Sequence, residues 1–318
     1  MIDSSPTFLE CLIDVAENMS EIAAAIVEDL GAKGVEVRDE TTMPPPGGKP
    51  VPAGRAHVLA WMDADADREK LSSALLASMD SAWRQAGKED EAATKISFTT
   101  VEAEDWVQKV RDSVHPLRVG DRIFIRPSWA TIDEKEKKDL VEIVLDPGLA
   151  FGTGHHATTF LCLEALEELL SREEEVQEGA RVLDIGCGSG ILAIAAALLG
   201  AETCVGLDND PMAVKVAIKN VEDNRVSRQV TITSATPGSL HESFEIVVAN
   251  IHLQPLTDMA QEIARLVGPN GSLLLSGLLE SQATIATNVY ARLGLMPVGM
   301  KQLDGWALVH MEPPKPTR

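Results

Sequence analysis

Residues 182–193 read Val-Leu-Asp-Ile-Gly-Cys-Gly-Ser-Gly-Ile-Leu-Ala, and this stretch decides the fold class. Its apolar start predicts a buried strand, and the apolar run that follows at 191–199 predicts a helix. Gly186, Gly188 and Gly190 stand between the two elements in a G-x-G-x-G spacing. Glycines at such a turn let a ligand approach the backbone at the carboxyl edge of a parallel sheet. The spacing differs from the G-x-G-x-x-G of dinucleotide-binding folds and therefore disfavours NAD.

Strands and helices alternate around this motif, which predicts a parallel sheet covered on both faces. We predict strands at 181–185, 203–207, 230–233, 245–249 and 272–276, and helices at 191–199, 212–224, 255–267 and 281–293. Residues 295–302 and 306–312 are joined by only Leu303-Asp304-Gly305, and a connection that short forces an antiparallel pair. The predicted fold is α/β, with a doubly wound, mostly parallel seven-stranded sheet that ends in an antiparallel hairpin.

The first hundred residues follow a different order. They predict a β-α-β-β-α-β succession, with elements at 7–15, 17–30, 35–38, 56–62, 67–85 and 95–101. This order indicates a small ferredoxin-like α+β domain at 1–103. The Pro- and Gly-rich residues 41–54 predict an extended loop inside it.

A linker is predicted at 104–139, before the sheet domain at 140–318. It contains an expected helix at 104–114, a hairpin at 117–125 that turns at Gly120-Asp121, and a solvated charged stretch at 133–139.

The amino-acid composition argues against some classes of function, namely nucleic-acid binding and insertion into a membrane. The chain has 318 residues, of which 45% are hydrophobic and 24% charged, and its formal net charge is −21. The acidic excess argues against duplex DNA or RNA as the main ligand, so we expect no sequence-specific nucleic-acid binding. No apolar run is long enough to span a membrane and no secretory signal is present, so we expect a cytoplasmic protein.

The cysteines at 11, 162, 187 and 204 lie too far apart to form a C-x-x-C pair. This spacing favours buried free thiols over a zinc site or a disulfide framework. His155 and His156 are adjacent in a loop, where their side chains diverge, and no carboxylate or thiol cluster accompanies them. We therefore expect no bound metal.

Acidic residues follow the second predicted strand of the sheet. A carboxylate at that strand tip, Asp208, can accept hydrogen bonds from both ribose hydroxyls of a bound adenosine. Asp210 precedes Pro211 and is predicted to cap the next helix. The apolar face of that helix, Met212 included, is predicted to lie in the core.

Two further segments carry polar groups toward the same edge. The upstream Gly-rich stretch 145–164 contains Gly154, and either Thr158 or Thr159 is predicted to cap the helix that follows it. Asn250 ends the fourth predicted strand. Its carbonyl oxygen can accept an N–H bond from a substrate amine and aim the nitrogen lone pair at an electrophile, although a strand-terminal Asn that bonds its own turn remains the alternative.

The motif D-x-G-x-G-x-G with a downstream acid resembles the class I S-adenosylmethionine-dependent methyltransferases. A narrower resemblance rests on four stretches: 151–159 (Phe-Gly-Thr-Gly-His-His-Ala-Thr-Thr), 184–194, 248–251 (Val-Ala-Asn-Ile) and 275–282. Together they are similar to the ribosomal protein L11 methyltransferase (PrmA) family, and the similarity covers about residues 104–312. The linker stretches Glu104-Asp-Trp106 and Ile125-Arg-Pro-Ser-Trp129 are also similar to that family.

The resemblance implies transfer of methyl groups from S-adenosylmethionine to lysine side chains and the α-amine of a basic ribosomal protein. It implies that Thr159, Gly186, Asp208 and Asn250 bind the donor, and we add Gly188 and Gly190 from the same loop. It also assigns recognition of the protein substrate to the amino-terminal domain. His155, Ala157 and His252 depart from the residues common in the family and bear on the choice of acceptor.

Transfer of a methyl group from a sulfonium requires no metal, because positioning of a neutral amine supplies much of the rate enhancement. We expect the protein to be a monomer.

Two alternatives to this function stay open: a lysine methyltransferase for another protein, such as the electron-transfer flavoprotein β subunit, and a non-catalytic sensor of an adenosyl ligand. Retention of Asp208, Asn250 and the glycines argues against the sensor.

Overall fold

The computed structural model describes residues 7–39, 51–85, 94–102, 115–131, 140–146, 154, 156–171 and 179–314. The predicted helix at 104–114, the charged stretch at 133–139 and most of the loop at 41–54 lie outside these residues. The chain divides into two compact units, Met1–His115 with Pro147–Leu149, and Pro116–Asp146 with Ala150–Arg318.

The first unit is a four-stranded antiparallel sheet with two helices. Its elements are β1 (Thr7–Ala16), a 3-10 turn at Glu17–Met19, α1 (Ser20–Asp29), β2 (Gly34–Arg38), β3 (Arg55–Asp63), α2 (Arg68–Gln85) and β4 (Lys95–Glu102). The strand order β2-β3-β1-β4 is that of a ferredoxin-like sheet. Alternate residues of β1 are buried, from Leu9 to Val15, because successive side chains of a strand point to opposite faces.

The second unit begins with a small sheet of β5 (Leu117–Val119), β6 (Ile123–Arg126) and β7 (Val141–Val144). β5 and β6 form the predicted hairpin, with Val119 opposite Ile123. β7 pairs parallel with β6 and was not predicted from the sequence. The side chain of Asn224 fixes the end of β7, because it donates to the backbone oxygen of Val144 and accepts from its N–H, both at 2.8 Å.

The large sheet has seven strands in the order β10-β9-β8-β11-β12-β14-β13. Its strands are β8 (Arg181–Ile185), β9 (Thr203–Leu207), β10 (Val230–Thr233), β11 (Phe244–Asn250), β12 (Val267–Leu279), β13 (Met296–Leu303) and β14 (Trp306–Glu312). All pairs are parallel except β12 with β14 and β13 with β14. The predicted doubly wound sheet with a terminal antiparallel hairpin is therefore confirmed.

Helices cover both faces of this sheet. They are α3 (Ala157–Leu170), α4 (Ile191–Leu198), α5 (Pro211–Asp223), α6 (Leu253–Asp258), α7 (Ala260–Leu266) and α8 (Glu280–Arg292). One apolar core contains α3 and α4 together with Ile123, Ile125 and Ile143 of the small sheet. The other lies on the opposite face among α6, α7 and α8. β8 and α4 are almost wholly buried, as expected for a parallel strand and helix covered on both sides.

The prediction of one helix at 255–267 was wrong. The chain forms α6 and α7, which are separated at Met259, and the strand β12 begins at once at Val267. Pro269 has no N–H to continue a helix, and the strand register shifts between the pairs Phe244–Val267 and Ile246–Ser272. The early start of β12 is therefore an irregular strand segment.

Candidate active site

The glycine-rich turn between β8 and α4 is hydrogen-bonded to the end of β9. The backbone N–H groups of Gly186 and Cys187 both donate to the carbonyl oxygen of Leu207, at 2.8 and 2.9 Å. The side-chain amide of Asn220 holds the other end of the turn by donating to the oxygen of Ser189 at 2.9 Å. These bonds fix the turn at the carboxyl edge of the sheet, where β8 neighbours β11, the winding reverses and open α/β sheets bind ligands.

Gly186 must be glycine for two reasons. Its φ is +72°, a conformation that L side chains rarely adopt. A Cβ at this position would also lie 2.3 Å from Cγ2 of Ile251, the residue after Asn250. The turn therefore packs tightly against the side chain of Ile251, the first residue after β11.

The carboxylate of Asp208 is held by two backbone donors. Its Oδ2 accepts from the N–H of Gly188 at 2.8 Å, and its Oδ1 accepts from the N–H of Asp210 at 2.9 Å. The side chain is thus fixed beside the glycine-rich turn. Each carboxylate oxygen has further lone-pair capacity, so hydroxyl donors of a ligand can be bound as well.

Asp210 caps α5 as predicted, since its Oδ1 accepts from the N–H of Met212 at 2.8 Å. Pro211 occupies the first turn of the helix. The prediction that Met212 lies in the core was wrong, because its side chain is 47% exposed. Met212 lies on the outer side of the first turn of α5, whereas its neighbour Ala213 is buried.

Asp184 lies beneath the turn and is 1% exposed. Its Oδ2 accepts from the N–H of Ala193 at 3.3 Å, and its Oδ1 has no hydrogen-bond partner in the described part of the chain. Burial raises the pKa of this carboxyl group to about 7, and the Ala193 bond opposes the shift while the charge of Asp208 adds to it.

Asn250 is oriented by Thr159. The amide Nδ2 lies 3.4 Å from the hydroxyl Oγ1 of Thr159, to which it donates. The amide Oδ1 is buried and meets no donor among the described residues. Because Oδ1 meets no donor among the described residues, it is available to accept a hydrogen bond from an incoming group.

His156, and neither threonine, caps helix α3. The helix begins at Ala157, so Thr158 and Thr159 both fall in its first turn, and the prediction that one of them is the cap was wrong. The Nδ1 atom of His156 accepts from the N–H of Thr158 at 3.3 Å and lies 2.7 Å from its hydroxyl oxygen. The imidazole also meets the ring of Trp306 edge-on, with 4.9 Å between centroids.

Every predicted site residue lies in the turn, at a neighbouring strand tip or in the first turn of α3. Asp208 bonds Gly188, Ile251 adjoins Gly186, and Asn250 bonds Thr159, while Gly190 begins α4 and packs against Ala217. Sequence reasoning missed Trp306 and Ser276. Trp306 starts β14, and its only sequence signal is that position. Ser276 lies opposite Asn250 in β12, within the stretch 275–282 that resembles the family.

All four cysteines are free and buried, as predicted. Burial raises the pKa of Cys11, Cys162 and Cys204 to about 12, and it also raises that of Cys187. Such thiols stay protonated and unreactive. Across the described ranges, no three His, Cys, Asp or Glu side chains lie close enough to hold a metal ion.

The residues at this edge fit S-adenosylmethionine. The carboxylate of Asp208 can bind ribose hydroxyls, and it is bonded to a glycine turn that leaves no room for a Cβ at Gly186. Ile251 contacts this turn and follows Asn250, whose buried amide oxygen is free to accept a hydrogen bond. The sheet order and this edge define a class I S-adenosylmethionine-dependent methyltransferase.

Comparison with known proteins gives the family. The sequence model of the ribosomal protein L11 methyltransferase (PrmA) family matches residues 7–313. The chain belongs to this family.

Its relatives match over most of their length. The chain is 37% identical to the ribosomal protein L11 methyltransferase of Ralstonia nicotianae, over 96% of this chain and 98% of that protein. It is 40% identical to that of Vibrio campbellii, over 86% and 88%. A solved structure of ribosomal protein L11 methylase from Lactobacillus delbrueckii subsp. bulgaricus is 26% identical, with a TM-score of 0.55, and covers 63% of this chain and 99% of that chain.

None of the helices in the described residues has the length and apolar composition needed to cross a membrane.

Proposed function

We propose that this enzyme transfers methyl groups from S-adenosylmethionine to lysine side-chain and α-amino nitrogens of ribosomal protein L11. Relatives from Ralstonia nicotianae and Vibrio campbellii are named ribosomal protein L11 methyltransferase, and they match 96% and 86% of this chain. The geometry of the sheet edge supports the same reaction.

The donor is held by three parts of the chain. Asp208 accepts hydrogen bonds from the ribose hydroxyls while its backbone bonds to Gly188 and Asp210 keep it in place. Gly186, Gly188 and Gly190 let the donor approach the backbone of the turn, and Thr159 closes the site from α3. When bound, S-adenosylmethionine supplies a methyl group made electrophilic by a positively charged sulfur.

The observation that carries the proposal is the orphaned oxygen of Asn250. This buried Oδ1 accepts an N–H bond from the substrate amine, while Nδ2 donates to the hydroxyl of Thr159. An amine held by one of its N–H bonds has its lone pair directed away from that bond. Fixing this direction in line with the methyl group lowers the barrier, because the entropy of alignment is lost before reaction.

The amine must lose a proton before it attacks. A lysine ammonium has a pKa of about 10.4 in water, and burial disfavours its charged form. The neutral amide of Asn250 binds the neutral amine without adding the negative charge that would stabilise the ammonium. We propose that water takes the proton at the rim of the site.

The remaining assignments concern partners. We propose that residues 1–103 recognise the protein substrate, that 104–139 connect the units, and that 140–318 carry the transfer chemistry. A net charge of −21 is complementary to a basic ribosomal protein. We further propose a cytoplasmic monomer that needs no metal and binds neither a membrane nor a specific nucleic-acid sequence.

The test is label transfer from radiolabelled S-adenosylmethionine. The enzyme is incubated separately with purified L11, with the electron-transfer flavoprotein β subunit and with a cell lysate, and products are mapped by mass spectrometry. We expect methyl groups on amino nitrogens of L11. Label on the flavoprotein subunit alone, or binding of the donor without transfer to any protein, would contradict the proposal.

A further inference from the structure

Trp306 carries a buried hydrogen-bond donor beside the proposed site. The residue begins β14 directly after the turn at Asp304 and Gly305, and it is 5% exposed. Its indole Nε1 is buried and meets no acceptor within the described residues. Buried N–H groups are almost always hydrogen-bonded in folded proteins, so an orphan calls for a ligand or another functional explanation.

Trp306 is connected to Asn250 through His156 and the first turn of α3. The indole meets the imidazole of His156 at a centroid distance of 4.9 Å and an interplanar angle of 68°. His156 caps α3, and Thr159 in the first turn of that helix accepts the hydrogen bond from Asn250. Trp306 and Asn250 therefore contact the same end of one helix.

Ser276 gives an independent connection. It pairs in register with Asn250 across β11 and β12. Its buried hydroxyl oxygen lies 3.4 Å from the carbonyl oxygen of Thr158 and 3.4 Å from that of Ala307, the residue after Trp306. The tip of β11, β12 at Ser276, the start of β14 and the start of α3 thus lie next to one another.

The orphaned atoms of Asn250 and Trp306 have opposite polarity. Asn250 offers an acceptor and Trp306 offers a donor. The first residue of a protein presents the complement of that pair, an amine that donates and a carbonyl oxygen that accepts, with only the α-carbon and the carbonyl carbon between them. A lysine side chain presents its amine at the end of a methylene stem, with no carbonyl beside it.

We propose that Trp306 selects the α-amine of the protein substrate, an inference that rests on the function proposed above. The indole N–H donates to the carbonyl oxygen of the first substrate residue, while Asn250 accepts from its amine. The bond broken and the bond formed are those of the lysine reaction: the amine nitrogen binds the methyl carbon, and the electron pair of the carbon–sulfur bond stays on sulfur. A lysine substrate uses Asn250 without Trp306.

The test is Trp306→Phe, which keeps a six-membered aromatic ring near His156 and removes the N–H together with the rest of the five-membered ring of the indole. Wild type, Trp306→Phe and Trp129→Phe are compared on intact L11, with methyl groups located by mass spectrometry and the affinity for S-adenosylmethionine measured by calorimetry. Trp129 is the matched control, since it is 37% exposed in the turn after β6. We expect Trp306→Phe to slow α-amine methylation about tenfold, the loss expected for one hydrogen bond, with lysine methylation and donor affinity unchanged.

Other results separate the two proposals. Equal slowing at both kinds of amine, no slowing at either, or weaker donor binding in Trp306→Phe would overturn the role of Trp306. Lysine methylation by the wild type without any α-amine methylation would overturn it too, and would leave the proposed function standing. Failure of the wild type to methylate L11 at all would instead overturn the proposed function.

Discussion

Oδ2 of Asp208, at the tip of β9, lies 2.8 Å from the backbone nitrogen of Gly188 in the glycine-rich turn. The bond joins the two parts of the chain on which donor binding depends in this account, because the carboxylate and the turn are held in one arrangement before a ligand arrives. Preorganised groups bind a ligand more tightly, since less ordering remains for the moment of binding.

Replacement of Asp208 by Ala should abolish binding of S-adenosylmethionine. The variant loses the ribose acceptors and the bond that orients the turn, and together these losses should weaken binding at least about 100-fold. Calorimetry measures the affinity directly. Asp223→Ala is the control, because this carboxylate pairs with Lys219 on the exposed side of α5. Equal affinities in wild type and Asp208→Ala would remove the ribose assignment.

Replacement of Asn250 by Ala should act mainly on turnover. The donor keeps Asp208 and the glycine-rich turn, whereas the amine loses the acceptor that aligns it, so kcat should fall by about 10- to 100-fold with little change in donor affinity. Single-turnover kinetics and calorimetry on the same preparation separate the two quantities. A variant that binds the donor poorly but transfers normally once saturated would show that Asn250 serves the donor instead.

Gly186→Ala and Gly200→Ala form a matched pair of substitutions. Both glycines have positive φ, +72° and +110°, but a Cβ at 186 lies 2.3 Å from Ile251 whereas one at 200 meets nothing within 4 Å. Gly200→Ala should cost about 1 kcal/mol of unfolding free energy from backbone strain and leave donor affinity unchanged. Gly186→Ala should cost more and should also weaken donor binding. Denaturant titrations and calorimetry check both, and indistinguishable variants would contradict the close approach of the turn to β11.

The buried carboxyl group of Asp184 should make folding depend on pH. Burial raises its pKa from 3.8 to about 7, so between these values the folded protein holds a proton that the unfolded chain releases. The contribution of Asp184 to stability is therefore complete below about pH 3.8 and is lost as the pH rises through about 7. Asp184→Asn cannot titrate, so its stability relative to wild type should rise by about 1 kcal/mol per pH unit across this window.

Urea titrations of both proteins at several values between pH 4.5 and pH 8 measure this difference. Parallel stability curves for the two proteins would mean that Asp184 is ionised in the folded state throughout the range.

Much of the large sheet could be predicted because its local patterns agree with its tertiary structure. The sequence pattern of an apolar strand, a glycine-rich turn and an apolar helix predicts β8 and α4 without ambiguity. The two-residue turn at Asp304 and Gly305 allows only an antiparallel pair of strands. The placement of Asp208 at a strand tip followed from the same alternation. These features depend on neighbours in sequence.

The features that escaped prediction depend on distant contacts. Strand β7 has four residues and is fixed by β6 and by Asn224, which lies 80 positions away from Val144. The cap of α3 is His156, a residue whose side chain is seldom a cap and which is held here by Thr158 and Trp306. The orphaned atoms of Asn250 and Trp306 cannot be recognised before the sheet edge is assembled.

A crystal structure of the complex with S-adenosylmethionine shows most directly where the donor binds. We expect a ribose hydroxyl oxygen about 2.7 Å from a carboxylate oxygen of Asp208, the usual length of such a bond, and the transferable methyl group facing the open side of Asn250 Oδ1. A ribose bound elsewhere, with Asp208 bonded only to Gly188 and Asp210, would contradict the account.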